Sequence, residues 1–368
     1  MKKIVITGGH LTPALALIEA LPKKNWQILF IGRARASEAE ATPSMEAPVI
    51  KEMQIPFRPL NAGRIQRHFT RWTIPSILKI PLGFVQAFIY LWHFKPNVIL
   101  SFGGYLSSPV VFAAWLLQIP VLTHEQTTVK GLATRFNALF AKIIAVSWTA
   151  SMYQFPQNKV VLTGNPIRSE ILKTNEDVWK ALRYEKGLPL IFITGGNQGG
   201  HVINKTVEKC LLLLTEKANV FHQCGHLEAF KDYERLTRER LRLPAQKKRR
   251  YHVKKYLNAR EMGTFLNKAD LVIARAGANT ITELAVLGKP CLLIPLPGEQ
   301  TQNAQLLFEA GTAEILAQDK LAPENFLRLT EKILKNLSHY QKNSSQAEAL
   351  VETGAAQKIV RELEKMAR

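Results

Sequence analysis

Short apolar runs alternate with longer stretches of helical periodicity along this chain. Lys3–Thr7, Gln27–Ile31, Val98–Ser101, Pro120–Thr123 and Ile143–Val146 are brief and almost continuously apolar. That is the pattern of strands covered on both faces of a parallel sheet. Lys159–Leu162 then runs into Thr163-Gly164-Asn165-Pro166-Ile167-Arg168, where Gly, Asn and Pro together break helix and strand alike. An inter-domain linker is expected there. The rhythm resumes with Leu190–Thr194, Val220–Gln223, Tyr251–Lys254, Leu271–Ala274 and Cys291–Ile294, and residues 323–338 and 346–367 read as C-terminal helices. Residues 33–73 are rich in Pro, Arg and Ala with weak periodicity, and are expected to be loops. The βαβ alternation predicts an α/β chain of two doubly wound domains. Expected boundaries are 1–163, 164–345 and a closing helix over 346–368 that packs back toward the first domain.

Length agrees with two cores: 368 residues, 46% of them hydrophobic. The formal net charge of +20 implies an anionic partner: nucleic acid, acidic lipid head groups or phosphorylated substrates. Cys210, Cys224 and Cys291 lack metal-binding spacing and read as buried thiols of a reducing compartment. Met1-Lys2-Lys3 leads directly into a core strand, so no signal peptide is expected. The stretch Ile74 to Phe94 is interrupted by Lys79, Pro81 and Gln86 and is too broken to span a membrane. It nonetheless combines Trp72, Ile74, Ile77, Leu78, Leu82, Phe84, Phe88, Tyr90 and Trp92 with Arg64, Arg67, Arg71 and Lys79. Two readings stand: an amphipathic core helix with a basic outer face, or a surface for an anionic membrane.

The tetrapeptide Ile-Thr-Gly-Gly occurs twice, at Ile6–Gly9 and Ile193–Gly196, each time between a predicted strand and a predicted helix. Glycines there let backbone approach an anion, and the following helix N-terminus offers unpaired N–H groups. Two such units suggest two similar domains facing a shared cleft with phosphorylated ligands. His10 sits in the first turn, where an imidazole titrating near neutrality can take a proton from an attacking hydroxyl; a helix-capping role is the plainer alternative. Ser101–Tyr105 and His124-Glu125-Gln126-Thr127 also follow strands and are expected at the same edge. Glu125 can orient a histidine or an acceptor hydroxyl, or serve as an ion-pair partner in a turn. Gly195-Gly196-Asn197-Gln198-Gly199-Gly200 suits close approach to a diphosphate. In Ala274–Glu283 the side chains are small, Thr280 and Thr282 can donate to phosphate, and Glu283 can accept from sugar hydroxyls. Pro295–Asn303 can close over the same ligand.

Taken in order, the Thr-Gly-Gly-His block with Pro13, Phe102–Tyr105, Pro120–Gln126, Gly164–Arg168, Gly195-Gly196-x-Gln198-Gly199 and Arg275-x-Gly277-Ala278-x-Thr280-x-x-Glu283 resemble the MurG family, N-acetylglucosaminyltransferases that act on a lipid-linked muramyl peptide. The resemblance implies a GT-B glycosyltransferase fold of two Rossmann-like domains, with the first binding acceptor and membrane and the second binding the UDP-sugar. It implies inverting, metal-independent transfer without a cofactor, from UDP-N-acetylglucosamine to a polyprenyl-diphosphate-linked muramyl peptide. A peripheral position on the cytoplasmic face of the cell membrane goes with it.

Carried over by position, His10 is the base, with Glu125 beside it as a catalytic candidate, and Thr7, Gly8, Gly9 and Thr127 are donor contacts in the first domain. In the second domain the corresponding residues are Arg168, Asn197, Leu257, Gln300 and the run Ala278, Asn279, Thr280, Ile281, Thr282 and Glu283, with Glu283 on the ribose. Three departures accompany the likeness: Val5-Ile6 stands where the family has a further glycine pair, Thr127 where it has Asn, and Asn197 where it has Ser. Alternative readings are a GT-B transferase with another glycolipid or polysaccharide acceptor, and a sugar-nucleotide epimerase, for which Glu125 is thin acidic support. Nucleic-acid binding would need stacking aromatics along a basic groove; here aromatics cluster with aliphatics.

Overall fold

Ile4, Val5 and Ile6 lie fully buried in a central strand, β1 (Lys2–Thr7), flanked on both sides by parallel neighbours. This is seen in the computed structural model, which describes residues 1–33, 44, 46–63, 73–182 and 184–367, with 73–77 by backbone alone. Arg64, Arg67, Arg71, Trp72, Ile74 and Ile77 therefore fall outside the described side chains. The chain divides into two units, 1–167 with 352–368, and 168–351.

In the first unit β1 is followed by β2 (Trp26–Gly32), β3 (Phe57–Pro59), β4 (Val98–Ser101), β5 (Val121–Glu125), β6 (Ile143–Val146) and β7 (Val160–Leu162). All seven are parallel, in the order β3-β2-β1-β4-β5-β6-β7. Helices α1 (Leu11–Ala20), α2 (Glu46–Glu52), α3 (Thr73–Phe94), α4 (Ser107–Leu116) and α5 (Leu132–Phe140) cover the sheet. The order reverses between β1 and β4, the place where open α/β sheets bind ligands. β3 and α2 correct the expectation that 33–73 is loop. Three residues on an edge strand are too few to show a period, and their support is tertiary: Phe57 stacks on Phe30 at 6.0 Å.

The second unit has six parallel strands: β8 (Leu190–Thr194), β9 (Asn219–Gln223), β10 (Tyr251–Lys254), β11 (Leu271–Ala274), β12 (Cys291–Leu293) and β13 (Ala313–Ile315), ordered β10-β9-β8-β11-β12-β13. Its switch point lies between β8 and β11. The expected helix over 346–367 is two helices, Ser344–Glu348 and Ala355–Met366, because Gly354 turns left-handed at φ 66°. Ile359, Val360, Leu363 and Met366 of the last helix join the same core as Leu15, Leu17 and Ile18 of α1. Gly164, at φ 84°, makes room for this return: a Cβ there would lie 2.6 Å from the carbonyl oxygen of Glu352. The three cysteines are buried and free.

Candidate active site

At the switch point of the first unit, two glycine turns interlock backbone to backbone. The N–H of Gly9 donates to the carbonyl of Gly103 at 3.0 Å, and that of Phe102 to Thr7 at 2.8 Å. Gly8 has φ 138°, and a Cβ there would sit 2.8 Å from the backbone nitrogen of Phe102; at Gly104 it would lie 3.0 Å from that of Gly9. Only glycine meets both demands. The turn from β1 to α1 is just Gly8-Gly9-His10, with Val5 and Ile6 inside the strand. His10, half-buried, occupies the N-cap position without capping the helix. Its Nδ1 instead lies 2.9 Å from the carbonyl oxygen of Phe102. A carbonyl only accepts, so Nδ1 carries the hydrogen and Nε2 keeps its lone pair.

Glu125 is not the group that orients this imidazole. Its Oε1 accepts from the N–H of Thr127 at 3.2 Å and from the Thr127 hydroxyl at 2.8 Å, and its Oε2 from the N–H of Gly131 at 3.0 Å. The Thr127 hydroxyl lies 2.6 Å from the carbonyl of Val129 as well. Both side chains are buried and fasten the turn between β5 and α5. Beside them His124 is fully buried, with Nε2 2.9 Å from the carbonyl of Gly164 and Nδ1 3.1 Å from Nε2 of Gln126. Desolvation lowers its pKa to about 4, so it stays neutral and ties β5 to the segment after β7.

The second unit repeats the arrangement at β8. A Cβ on Gly195 would stand 2.1 Å from the nitrogen of Gly200, and one on Gly199 2.1 Å from the carbonyl oxygen of Cys224. Gly196, at φ 82°, has open space beside it. The turn thus closes on itself and on the end of β9, leaving Asn197 and Gln198 exposed. The helix His201–Lys217 begins there.

After β11, Gly277 caps the helix Ala278–Val286 without a side-chain hydrogen bond, and a Cβ on it would meet nothing within 4 Å. Helix geometry leaves first-turn N–H groups pointing out of such a terminus. Helical spacing then sorts the expected contacts. Asn279, Thr280 and Glu283 share the half-buried face, whereas Ile281 and Thr282 face the core. The Thr282 hydroxyl donates to the carbonyl of Ala278 at 2.8 Å, and the N–H of Ile281 to that of Gly277 at 2.9 Å. Within the helix, these two hydrogens are therefore used by its own carbonyls. Glu283 is different: no hydrogen bond to its carboxylate is found among the described residues, and desolvation raises its pKa to about 8.

Leu257 is buried at the end of β10, just before the capping box of Asn258 and Glu261. Gln300 accepts the N–H of Leu296 at 3.1 Å and so closes the turn after β12. Arg168 pairs with Glu170 at 3.1 Å. Two groups that the sequence reading did not assign stand out. One is the Phe102 carbonyl, which has no signal in residue type. The other is Arg275, which donates to the carbonyl of Ile294 at 2.8 Å and to Gln318 at 2.7 Å; its place immediately after β11 was visible.

The outer face of the first unit is apolar. Leu78, Leu82, Val85, Ile89 and Trp92 recur at steps of three and four along α3 and are all exposed, Leu78 by 73%. Ala87 and Leu91, on the opposite face, are buried. Among the described residues no helix is long and apolar enough to cross a membrane.

The glycosyltransferase family 28 N-terminal domain matches residues 7–146, and the family's C-terminal domain matches residues 190–362. A Bacillus cereus UDP-N-acetylglucosamine--N-acetylmuramyl-(pentapeptide) pyrophosphoryl-undecaprenol N-acetylglucosamine transferase is 33% identical over 93% of this chain and 94% of its own. The chain belongs to the MurG family. The MurG crystal structure from Acinetobacter baumannii aligns over 99% of this chain and all of its own, with TM-score 0.71 and 27% identity. The two Rossmann-like domains of the GT-B fold are those of this family. A UDP-GlcNAc 2-epimerase from Neisseria meningitidis, bound to UDP-GlcNAc, shares only the fold: TM-score 0.65 over 99% of this chain and all of its own at 15% identity. The fold alone therefore does not separate MurG chemistry from epimerisation; the end-to-end sequence kinship does.

Proposed function

We propose that this chain transfers N-acetylglucosamine, with inversion, from UDP-N-acetylglucosamine to the 4-hydroxyl of an N-acetylmuramyl pentapeptide on undecaprenyl diphosphate. The observation that carries the reading is full-length kinship with enzymes of that name. In the proposed step the 4-hydroxyl oxygen attacks C1 of the donor sugar. Its proton passes to Nε2 of His10, and the bond from C1 to the diphosphate breaks with its electron pair on UDP. The fixed Nδ1–H bond to Phe102 supports His10 as base, because it leaves the acceptor nitrogen outward. The glycine turn at Gly195–Gly200 and the open N-terminus of Ala278–Val286 suit the charge developing on UDP, with Arg168 as a further cation. Glu283, unpaired among the described residues, is assigned to the ribose hydroxyls. Glu125 and Thr127 are assigned to positioning the turn behind the acceptor.

The same reading makes the protein a peripheral membrane enzyme attached through α3. A polyprenyl-linked acceptor stays in the bilayer, so the enzyme must reach its surface. The exposed stripe supports this, as does the charge around it: residues 53–169 carry eleven Lys and Arg, and Glu125 is their one acidic residue. Glu125 is buried, so acidic groups of this segment contribute nothing to the surface. No role in nucleic-acid binding is proposed.

The test is transfer of radiolabelled sugar from UDP-N-acetylglucosamine to lipid-linked muramyl peptide, beside other lipid-linked sugars. Labelled disaccharide on the muramyl lipid alone is expected. Transfer to another acceptor instead, or appearance of an epimerised UDP-sugar without acceptor, would overturn the reading.

A further inference from the structure

A chain of buried hydrogen bonds runs along the edge of the first sheet, from the segment after β7 to the turn after β1. It starts at the carbonyl of Gly164, which lies 2.9 Å from Nε2 of His124. That oxygen only accepts, so Nε2 of His124 carries the hydrogen and Nδ1 keeps the lone pair. Three acceptors surround Nε2 of Gln126: Nδ1 of His124 at 3.1 Å, the His124 carbonyl at 3.2 Å and the Phe102 carbonyl at 3.3 Å. Only the amide nitrogen suits that place, because the amide oxygen would face two carbonyls. The Phe102 carbonyl then accepts from Nδ1 of His10 as well. Phe102, His124 and Gln126 are each at most 1% exposed. The backbone of Gln126 is fixed too, since the indole N–H of Trp148 donates to its carbonyl at 2.9 Å. The Phe102 ring meets the His124 imidazole edge to face, with centres 5.5 Å apart.

We infer that Gln126 is a positioning residue for His10: its amide holds the Phe102 carbonyl, which keeps the imidazole in the Nδ1–H form with Nε2 outward. The inference rests on His10 as the base proposed above, and adds what sets its orientation. A carbonyl oxygen has two lone pairs, and here His10 and Gln126 take one each. Tied by both donors, the peptide between Phe102 and Gly103 cannot tilt without breaking a buried bond. Released by one, it can tilt and carry the ring with it, and a small misplacement of a reacting group is costly in rate. The donors are ordered throughout, because each link ends on a carbonyl or on the one free imidazole nitrogen. Glu125 bonds its own turn, so the support of His10 passes through the next residue along. Through His124 it reaches Gly164, in the segment that leads out of the first unit.

The test joins NMR of the full-length protein, with isotopically labelled histidines, to steady-state kinetics. At about pH 8, where an ordinary imidazole is neutral, wild type should show His10 as the Nδ1–H tautomer and His124 as the Nε2–H tautomer. His10→Ala and His124→Gln assign the two sets of signals. Gln126→Met keeps the length of the side chain and removes the donor. It should turn the His10 signals into a mixture of tautomers. It should also lower kcat by about tenfold or more, with KM for the sugar nucleotide within about twofold of wild type. Gln126→Met/His10→Ala should be no slower than His10→Ala alone, because the amide acts only through the imidazole. Losses that multiply in the double variant, or unchanged His10 signals in Gln126→Met, would overturn the inference. So would a His124 that carries its hydrogen on Nδ1 in the wild type, a result that stands even where Gln126→Met does not fold. Near-normal turnover of His10→Ala, with both tautomers as expected, would instead overturn the base assignment.

Discussion

Nδ1 of His10 and the carbonyl oxygen of Phe102, ninety-two positions apart in the chain, are 2.9 Å from each other. The contact joins the turn after β1 to the turn after β4, the two strands that flank the switch point. It holds the ring by a group that cannot change its protonation. A carboxylate in that place would instead raise the basicity of the imidazole.

His10→Ala should therefore lower kcat by about a hundredfold or more with little change in KM for the sugar nucleotide. His10→Asn, whose amide can reach the same carbonyl, should be equally slow if the role is proton acceptance. Steady-state kinetics on both variants decide this. Recovery of turnover in the asparagine variant would reduce His10 to a structural tie.

The glycines separate into those that packing requires and those that leave room. Gly199→Ala places a methyl 2.1 Å from the carbonyl of Cys224 at φ 89°, and a loss of about 3 kcal/mol or more in stability is expected. Gly277→Ala meets no protein atom and has an ordinary φ of −66°. It should unfold like the wild type yet bind UDP-N-acetylglucosamine more weakly, because the methyl occupies space assigned to the donor. Thermal melts with and without donor make the comparison.

Glu283 has a folded pKa near 8, above its unfolded value. Between these values the folded state holds the extra proton, so this group's contribution to stability falls as pH rises from about 4.5 to 8. Glu283→Gln should then gain stability relative to wild type on going from pH 5 to pH 8. If ribose hydroxyls bond the ionised carboxylate, donor affinity of the wild type rises over pH 6–8, with proton release on binding. The glutamine variant should show neither trend and bind roughly tenfold more weakly. Calorimetry in buffers of different ionisation enthalpy measures both.

His124 carries the opposite sign. Its folded pKa of about 4 lies below the unfolded value, so the unfolded chain takes up the proton first. Its neutral-state stability is complete above about pH 6.5 and is lost as pH falls toward 4, by about 2 kcal/mol at pH 5. Buried His222, with a pKa near 3, adds a loss of the same sign in the second unit. Urea midpoints at pH 7 and pH 5, compared with those of His124→Gln, should reveal the slope and its reduction.

The strands, the glycine turns and the helix beginnings were legible in the sequence because each rests on local chemistry: continuous apolar runs, φ angles open to glycine, and small residues where backbone must come close. The family resemblance was legible for the same reason, since its blocks are those turns. Which polar groups are available was not. Thr280 and Thr282 are equal as residue types, and only the helix's orientation on its sheet turns one toward the open face and the other into the core. Residue type and position made Glu125 a catalytic candidate but did not show that Thr127 and Gly131 donate to its oxygens, and β3, at three residues, exists only because β2 is beside it. Whether the apolar run on α3 faced core or solvent depended on what covers it. One helix face reaches Ala87 and Leu91 inward, and nothing described covers Leu78 or Trp92. Hydrophobic pattern determines that a segment seeks burial; tertiary structure decided that here it is left exposed.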